Sequence, residues 1–196
     1  MPHIPDVSVV LPFGDDEDLI GTAVRRVSAH LRERGLSFEI VAVDEHSGDN
    51  SHAVLALLRP DLPELRITNA PGRGRGFASG AQRARGRTLW LIAATAAARS
   101  PLSPFGRAYR RVQRGELDLV SVERRFVVCH RTRALSAIDG LRGGATVFQR
   151  RLLKRSLGRD LAVEQQEIGG SRGRFAPSQR TLSRLLGAFA SRATLW

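Results

Sequence analysis

The amino-acid sequence, 196 residues long, predicts an α/β fold: a mainly parallel sheet flanked by helices. Three observations carry that expectation. Short apolar runs alternate with amphipathic stretches through residues 7–94, glycine and proline punctuate the joins, and acidic or glycine-rich loops follow the runs. Strand–helix–strand units of this kind build right-handed crossovers and parallel pairing. Ligands of such sheets bind beyond the carboxyl ends of the strands. That rule puts residues 12–16, 44–49 and the segment after Ile92 on one rim.

The elements follow in order. Residues 7–12, VSVVLP, form a continuous apolar run, the mark of a strand buried on both faces. Asp15 or Asp16 can cap the next helix, whose first turn is acidic and so favoured by the helix dipole. Ile20, Val24, Val27 and Leu31 then recur on one helical face, and Gly35 stops it. A second strand spans 38–43 and runs into a polar turn; a short helix covers 53–58. Pro60 and Pro63 precede a third strand at 65–68, and a glycine-rich segment, 72–86, leads to a fourth strand from Thr88 to about Ala94. Beyond it we expect a helix at 105–114, strands at 117–123 and 126–130, a helix at 146–157 and a loop at 169–178. A last amphipathic helix carries Leu182, Leu185, Leu186 and Phe189.

Composition narrows the function classes. A hydrophobic fraction of 42% excludes wholesale disorder, and the length suits one domain, 1–196. Cys129 is the only cysteine, so there is no intramolecular disulfide, which fits a reducing compartment. The start lacks a signal-peptide pattern, and the longest apolar run, 89–98, is too short to cross a bilayer. The expectation is a soluble cytoplasmic protein. Charge is uneven: residues 1–70 carry a net −6 and residues 71–196 a net +18. A basic half favours anionic partners such as nucleotides, anionic lipid headgroups or nucleic acid. The bland alternative is base composition, since Lys154 is the only lysine among 31 basic residues. Nucleic acid rests on charge alone, without interleaved aromatics or a known module, and stands as the third reading.

Three segments carry the chemistry. The first is the strand 7–12 with Phe13-Gly14-Asp15-Asp16 and then Ile20-Gly21; the second is the strand 39–43 followed by Asp44-Glu45-His46-Ser47-Gly48-Asp49. The third is Gly74-Arg75-Gly76-Phe77-Ala78-Ser79-Gly80 with Ala84-Arg85-Gly86 before a strand. In this order and spacing they resemble family 2 glycosyltransferases over roughly residues 6–95. The resemblance implies a Rossmann-like, GT-A-like architecture that binds a nucleoside-diphosphate sugar and transfers the sugar with inversion. It divides the chain into a nucleotide-binding half (1–100), an acceptor-side half (101–170) and a basic loop with the terminal helix (171–196). It implies a nucleotide site at Pro12, Asp16, Asp44, Glu45, Gly74, Arg75 and Gly76, with Asp16 and Asp44 facing the nucleoside. The plainer readings stay open beside these. Asp44 is also a natural turn residue, Asp16 a natural helix cap, and the 72–76 segment either a phosphate cradle or an exposed turn.

The departures matter as much. The family presents Asp-x-Asp after the fourth strand to hold Mn2+ or Mg2+; here those positions fall at Ala93 and Thr95, which cannot ligate a hard cation as carboxylates do. Arginines can neutralise a diphosphate instead, and Arg73, Arg75 and Arg99 are nearest in sequence. An inverting transferase also needs a base, for which Glu123, Glu164 and Glu167 are the candidates, each equally readable as an ion-pair partner. A homologue that keeps the fold but not turnover is therefore the competing reading. The terminal helix either packs on the domain or lies on an anionic membrane, where a lipid-linked acceptor would be found. Sugar, base, acceptor and oligomeric state are not encoded in any motif.

Overall fold

The computed structural model describes residues 4–167 and the backbone of 174–176. One eight-stranded sheet holds every described strand, in the order β3-β2-β1-β4-β6-β5-β7-β8. Its strands are β1 (Val7–Phe13), β2 (Phe38–Asp44), β3 (Leu65–Asn69), β4 (Thr88–Ile92), β5 (Leu119–Val122), β6 (Phe126–His130), β7 (Val163–Gln166) and β8 (Arg174–Ala176). The helices are α1 (Glu17–Arg32), α2 (Ser51–Leu58), α3 (Gly76–Arg83), α4 (Ala94–Arg99), α5 (Pro104–Gln113), α6 (Arg131–Ile138) and α7 (Ala145–Leu157).

β1 to β4 pair in parallel. β6 inserts antiparallel between β4 and β5, while β7 runs parallel to β5 and β8 antiparallel to β7. β1 to β5 and β7 therefore all end on one rim. Period-two alternation sorts the side chains onto two faces. Val9, Leu11, Ile40, Trp90 and Phe126 pack under α1, α4 and α5. Val10, Val41, Leu89, Val127 and Cys129 pack under α3, α6 and α7. Trp90 stacks on Phe105 at 4.2 Å on the first face, and Phe77 on Phe148 at 4.6 Å on the second. All seven residues of β1 are buried, which is why it reads as an unbroken apolar run.

Close approach of α3 to the sheet needs a missing side chain. A Cβ at Gly80 would stand 2.8 Å from Val43 Cγ2 and closer still to Val10 Cγ1. At the opposite end from the rim, Glu39 is 5% exposed beside its register partner Ser8. Its Oε1 accepts from Ser8 Oγ at 2.6 Å and from the Arg85 N–H at 2.6 Å, and its Oε2 from Arg66 Nη1 at 2.8 Å. Gly86 N–H donates to Ser8 Oγ at 2.7 Å, so this network seats the turn that feeds β4.

Several expectations need correction. β4 ends at Ile92, and α4 begins where the strand was expected to run on to about Ala94. α6 was not expected: its buried residues are only Ala134, Ala137 and Ile138, spaced among arginines. β5 stops at Val122 because Glu123 turns left-handed, with φ of 45°, into the β5–β6 hairpin. β8 lies within the expected loop 169–178, whose other residues, 169–173 and 177–178, like the expected terminal helix, lie outside the described residues. No helix among the described residues is long and apolar enough to cross a membrane.

Candidate functional site

The rim is built where strand register brings three loops together. Phe13 pairs with Asp44, and Asp44 with Asn69. Glu45 N–H donates to Phe13 O at 2.9 Å and Ala70 N–H to Asp44 O at 2.8 Å, so the ladder continues past the strands. Asp15 Oδ1 accepts from Gly48 N–H at 2.7 Å, and Asp15 pairs with Arg73 at 3.6 Å. Arg73 also donates to His46 O at 3.4 Å. Loops 14–16, 44–50 and 72–75, far apart in sequence, thus meet at the carboxyl ends of β1, β2 and β3.

Each acidic side chain here has a structural task. Asp16 is the N-cap residue of α1, yet its carboxylate does not cap the helix: Oδ2 turns back to Gly14 N–H at 3.1 Å. Asp49 supplies the missing acceptors, taking Glu17 N–H at 2.9 Å and Ser51 N–H at 3.0 Å, one for each of two helix starts. The Ser51 hydroxyl bond, with the backbone N–H groups of Ser51 and Glu17, outweighs desolvation and holds the Asp49 carboxyl below its ordinary pKa. Asp44 Oδ1 accepts from Ser47 N–H at 2.8 Å and Ser47 Oγ at 2.6 Å, closing the turn. Glu45 Oε1 accepts from Gly76 N–H at 2.6 Å, the first residue of α3.

That last bond bears on the phosphate-cradle reading. Exposed N–H groups at a helix start attract anions, and here a carboxylate of the chain itself occupies the Gly76 N–H. Gly76 is forced by crowding, since a Cβ would stand 2.6 Å from Glu45 Oε1 and 2.7 Å from Pro12 Cβ. Gly74 takes φ of 73°, and its carbonyl accepts from Gly143 N–H at 2.8 Å, tying the loop to the start of α7. Arg75 is the N-cap residue of α3. Among the described residues Asp16, Asp44 and Glu45 each bind donors through one oxygen only, leaving Oδ1, Oδ2 and Oε2 respectively. Asn69, which the sequence reading passed over, ends β3 beside Asp44; its place just ahead of Pro71-Gly72 was the available signal.

The wall after β4 is helical. Ala93 is the N-cap residue of α4 and Thr95 lies exposed in its first turn. Arg26 of α1 reaches over to the far end, donating to Ala97 O at 2.8 Å, to Ala98 O, and to Ser100 O at 3.1 Å. Arg99 sits at that far end, about 8 Å along the helix axis from Ala94.

The three candidate bases fall in two places. Glu123 and Glu167 follow β5 and β7 and line a cavity of about 610 Å3 on the same rim. Arg125 Nε pairs with Glu123 at 2.9 Å. Gln149 of α7 fixes this hairpin, donating to Ser121 Oγ at 2.6 Å and Glu123 O at 2.6 Å. Glu164 instead lies 7% exposed within β7, in an ion pair with Arg111 of α5. Cys129 is fully buried, which pushes its thiol far above the ordinary range and leaves it inert.

No family model matches the chain, and no curated protein matches it in sequence. Solved structures do match. Glucosyl-3-phosphoglycerate synthase from M. tuberculosis superposes with a TM-score of 0.65 at 17% identity, over 96% of this chain and 80% of that one. Mannosyl-3-phosphoglycerate synthase from Rubrobacter xylanophilus gives 0.64 at 20% identity, over 96% and 74%. The chain has the GT-A fold. A mannosyltransferase from Pyrobaculum calidifontis, in complex with GDP-mannose and Mn2+, shares the GT-A fold with a TM-score of 0.60 at 14% identity, over 80% of this chain. This chain spans 53% of that mannosyltransferase. Identities this low carry the GT-A fold and nothing finer. No carboxylate stands in the first three positions after β4. Ala93, Ala94 and Thr95 follow β4, and no three His, Cys, Asp or Glu among the described residues come together as ligands.

Proposed function

We propose that this chain binds a nucleoside-diphosphate sugar on the rim formed by β1 to β4 and transfers the sugar, with inversion, to a hydroxyl-bearing acceptor. The convergence of loops 14–16, 44–50 and 72–75 on one rim of a GT-A sheet is the observation that supports it. In this reading Asp16 and Asp44 offer their second oxygens to ribose hydroxyls or base N–H groups. Pro12, Gly74 and Gly76 shape the floor, and Glu45 holds the loop in place. Arg73 and Arg75 meet the diphosphate charge, a task for which guanidinium forks suit phosphate oxygens.

Transfer forms a bond from the acceptor oxygen to the anomeric carbon as the bond to the diphosphate oxygen breaks. A carboxylate takes the acceptor proton, and the diphosphate leaves with the electron pair. Glu123 and Glu167, which line one cavity at the ends of β5 and β7, are the candidates for that proton in this reading, although Glu123 is paired with Arg125; Glu164 is buried in its pair with Arg111. Calorimetric titration with UDP and GDP, with and without manganese, tests the reading. Binding indifferent to manganese and at least tenfold weaker in Asp44→Ala supports it; no binding of either nucleotide sinks it.

A second reading keeps binding without turnover, as a regulatory or binding module. Ala93 and Thr95 after β4 favour it. Nucleotide binding with no hydrolysis or transfer from any UDP- or GDP-sugar would select it over the first.

A further inference from the structure

A second concavity lies on the α3, α6 and α7 side of the sheet, between the turn after α6 and the carboxyl half of α7. It measures about 550 Å3 and is lined by Arg142, Arg151, Lys154, Arg155 and Arg159 together with small or apolar residues, and by no carboxylate. None of these five cations takes part in an ion pair among the described residues. The nearest acid in the turn, Asp139, lines the neighbouring cavity and accepts from Gln82 Nε2 at 2.6 Å.

A helix dipole favours cations in the last turn, which accounts for Lys154 and Arg155 but not for the other three. Two of the four guanidinium groups are positioned by hydrogen bonds. Arg151 Nη1 donates to Arg142 O at 2.8 Å, and Arg155 Nη1 to Asp139 O at 2.5 Å. Each bond uses one of five guanidinium N–H donors and leaves the rest available. Like charges around one hollow repel, and a bound polyanion would relieve that repulsion. The hollow is shallow and open to water, which suits a strongly charged, hydrated ligand rather than an apolar one.

We infer that this groove binds a small molecule carrying two or more phosphate groups. None of the rim residues named above lines this groove, although a neighbouring cavity lined by both Arg75 and Arg142 adjoins it, and the inference does not rest on the sugar-nucleotide reading.

Lys154 is the only lysine in the chain, which gives a direct probe. Amine acylation of the full chain, followed by mass spectrometry at Lys154, is run with and without sodium tripolyphosphate in 150 mM NaCl (about 8 Å screening length). At least fivefold slower acylation is expected, together with saturable one-site binding in calorimetry. The Lys154→Gln/Arg159→Gln variant alters side chains that carry no fold contact described above and should bind at least tenfold more weakly. Arg107→Gln/Arg110→Gln removes the same charge from α5, on the other face, and should bind as the parent does. Unchanged acylation, equal weakening in both variants, or loss only in Arg73→Gln/Arg75→Gln would each overturn the inference. So would capture by phosphatidylserine vesicles that depends on Lys154 and Arg159 without any tripolyphosphate binding, which would make the groove a membrane contact.

Discussion

At the amino-terminal end of β1 and β2, Glu39 is buried and both its oxygens are bound; at the carboxyl end, Asp16, Asp44 and Glu45 are half-buried and one oxygen of each is bound. The contrast follows from desolvation. A carboxylate taken out of water needs every lone pair answered, whereas one at a wet rim can hold a loop with one oxygen and keep the other for water or a ligand. The same residue type thus serves architecture at one end of the strands and is free to serve recognition at the other.

The contrast can be broken or sharpened by substitution. Glu39→Ala strips the Arg85 N–H, Ser8 and Arg66 of their acceptor at once, and should cost about 3 kcal/mol in denaturant unfolding, toward the low end for a buried pair because Arg66 is 38% exposed. Gly80→Ala places a methyl group against Val10 and Val43, and should cost about 2 kcal/mol even though alanine is the better helix former. Asp44→Ala loses only the Ser47 turn, about 1 kcal/mol, while weakening the proposed nucleotide binding at least tenfold. If Asp44→Ala proves as damaging to stability as Glu39→Ala, the division between the two ends fails.

The pH profile gives the mildest test. His30 lies against Trp90 and Phe105; burial first, and Arg34 second, lower its pKa from 6.5 to about 4. The unfolded chain therefore takes up a proton between pH 6.5 and about 4 that the folded chain refuses, so stability falls with pH across that window. His30→Phe should flatten this part of the curve. Below pH 4.5 a second loss begins: burial alone would raise the Glu39 pKa, but its bonds from Ser8, Arg85 and Arg66 bring it below the ordinary 4.5. Its contribution is complete above that value and disappears as pH drops through the folded pKa. A profile flat from pH 7 to 4 in the parent protein would contradict the His30 assignment.

The parallel half of the fold is legible because strands buried on both faces read as continuous apolar runs, VSVVLPF and FEIVAVD. The other half is not. β7, Val163-Glu164-Gln165-Gln166, has one apolar residue, and Glu164 is buried only because Arg111 arrives from 53 positions away. The placement of the rim loops follows from strand ends, so the meeting of residues 14–16 with 44–50 could be read in advance. Which oxygen holds which N–H could not. Asp49 reaching Glu17, or Glu45 reaching Gly76, joins positions 32 and 31 apart by tertiary geometry that no local pattern records.

Arg26 has a mechanical consequence. A six-residue helix has little stability of its own, and this one owes its persistence to a guanidinium that gathers three carbonyls at its end. α1 and α4 therefore move as one block, and the side of the cleft after β4 is a fixed wall instead of a hinged flap.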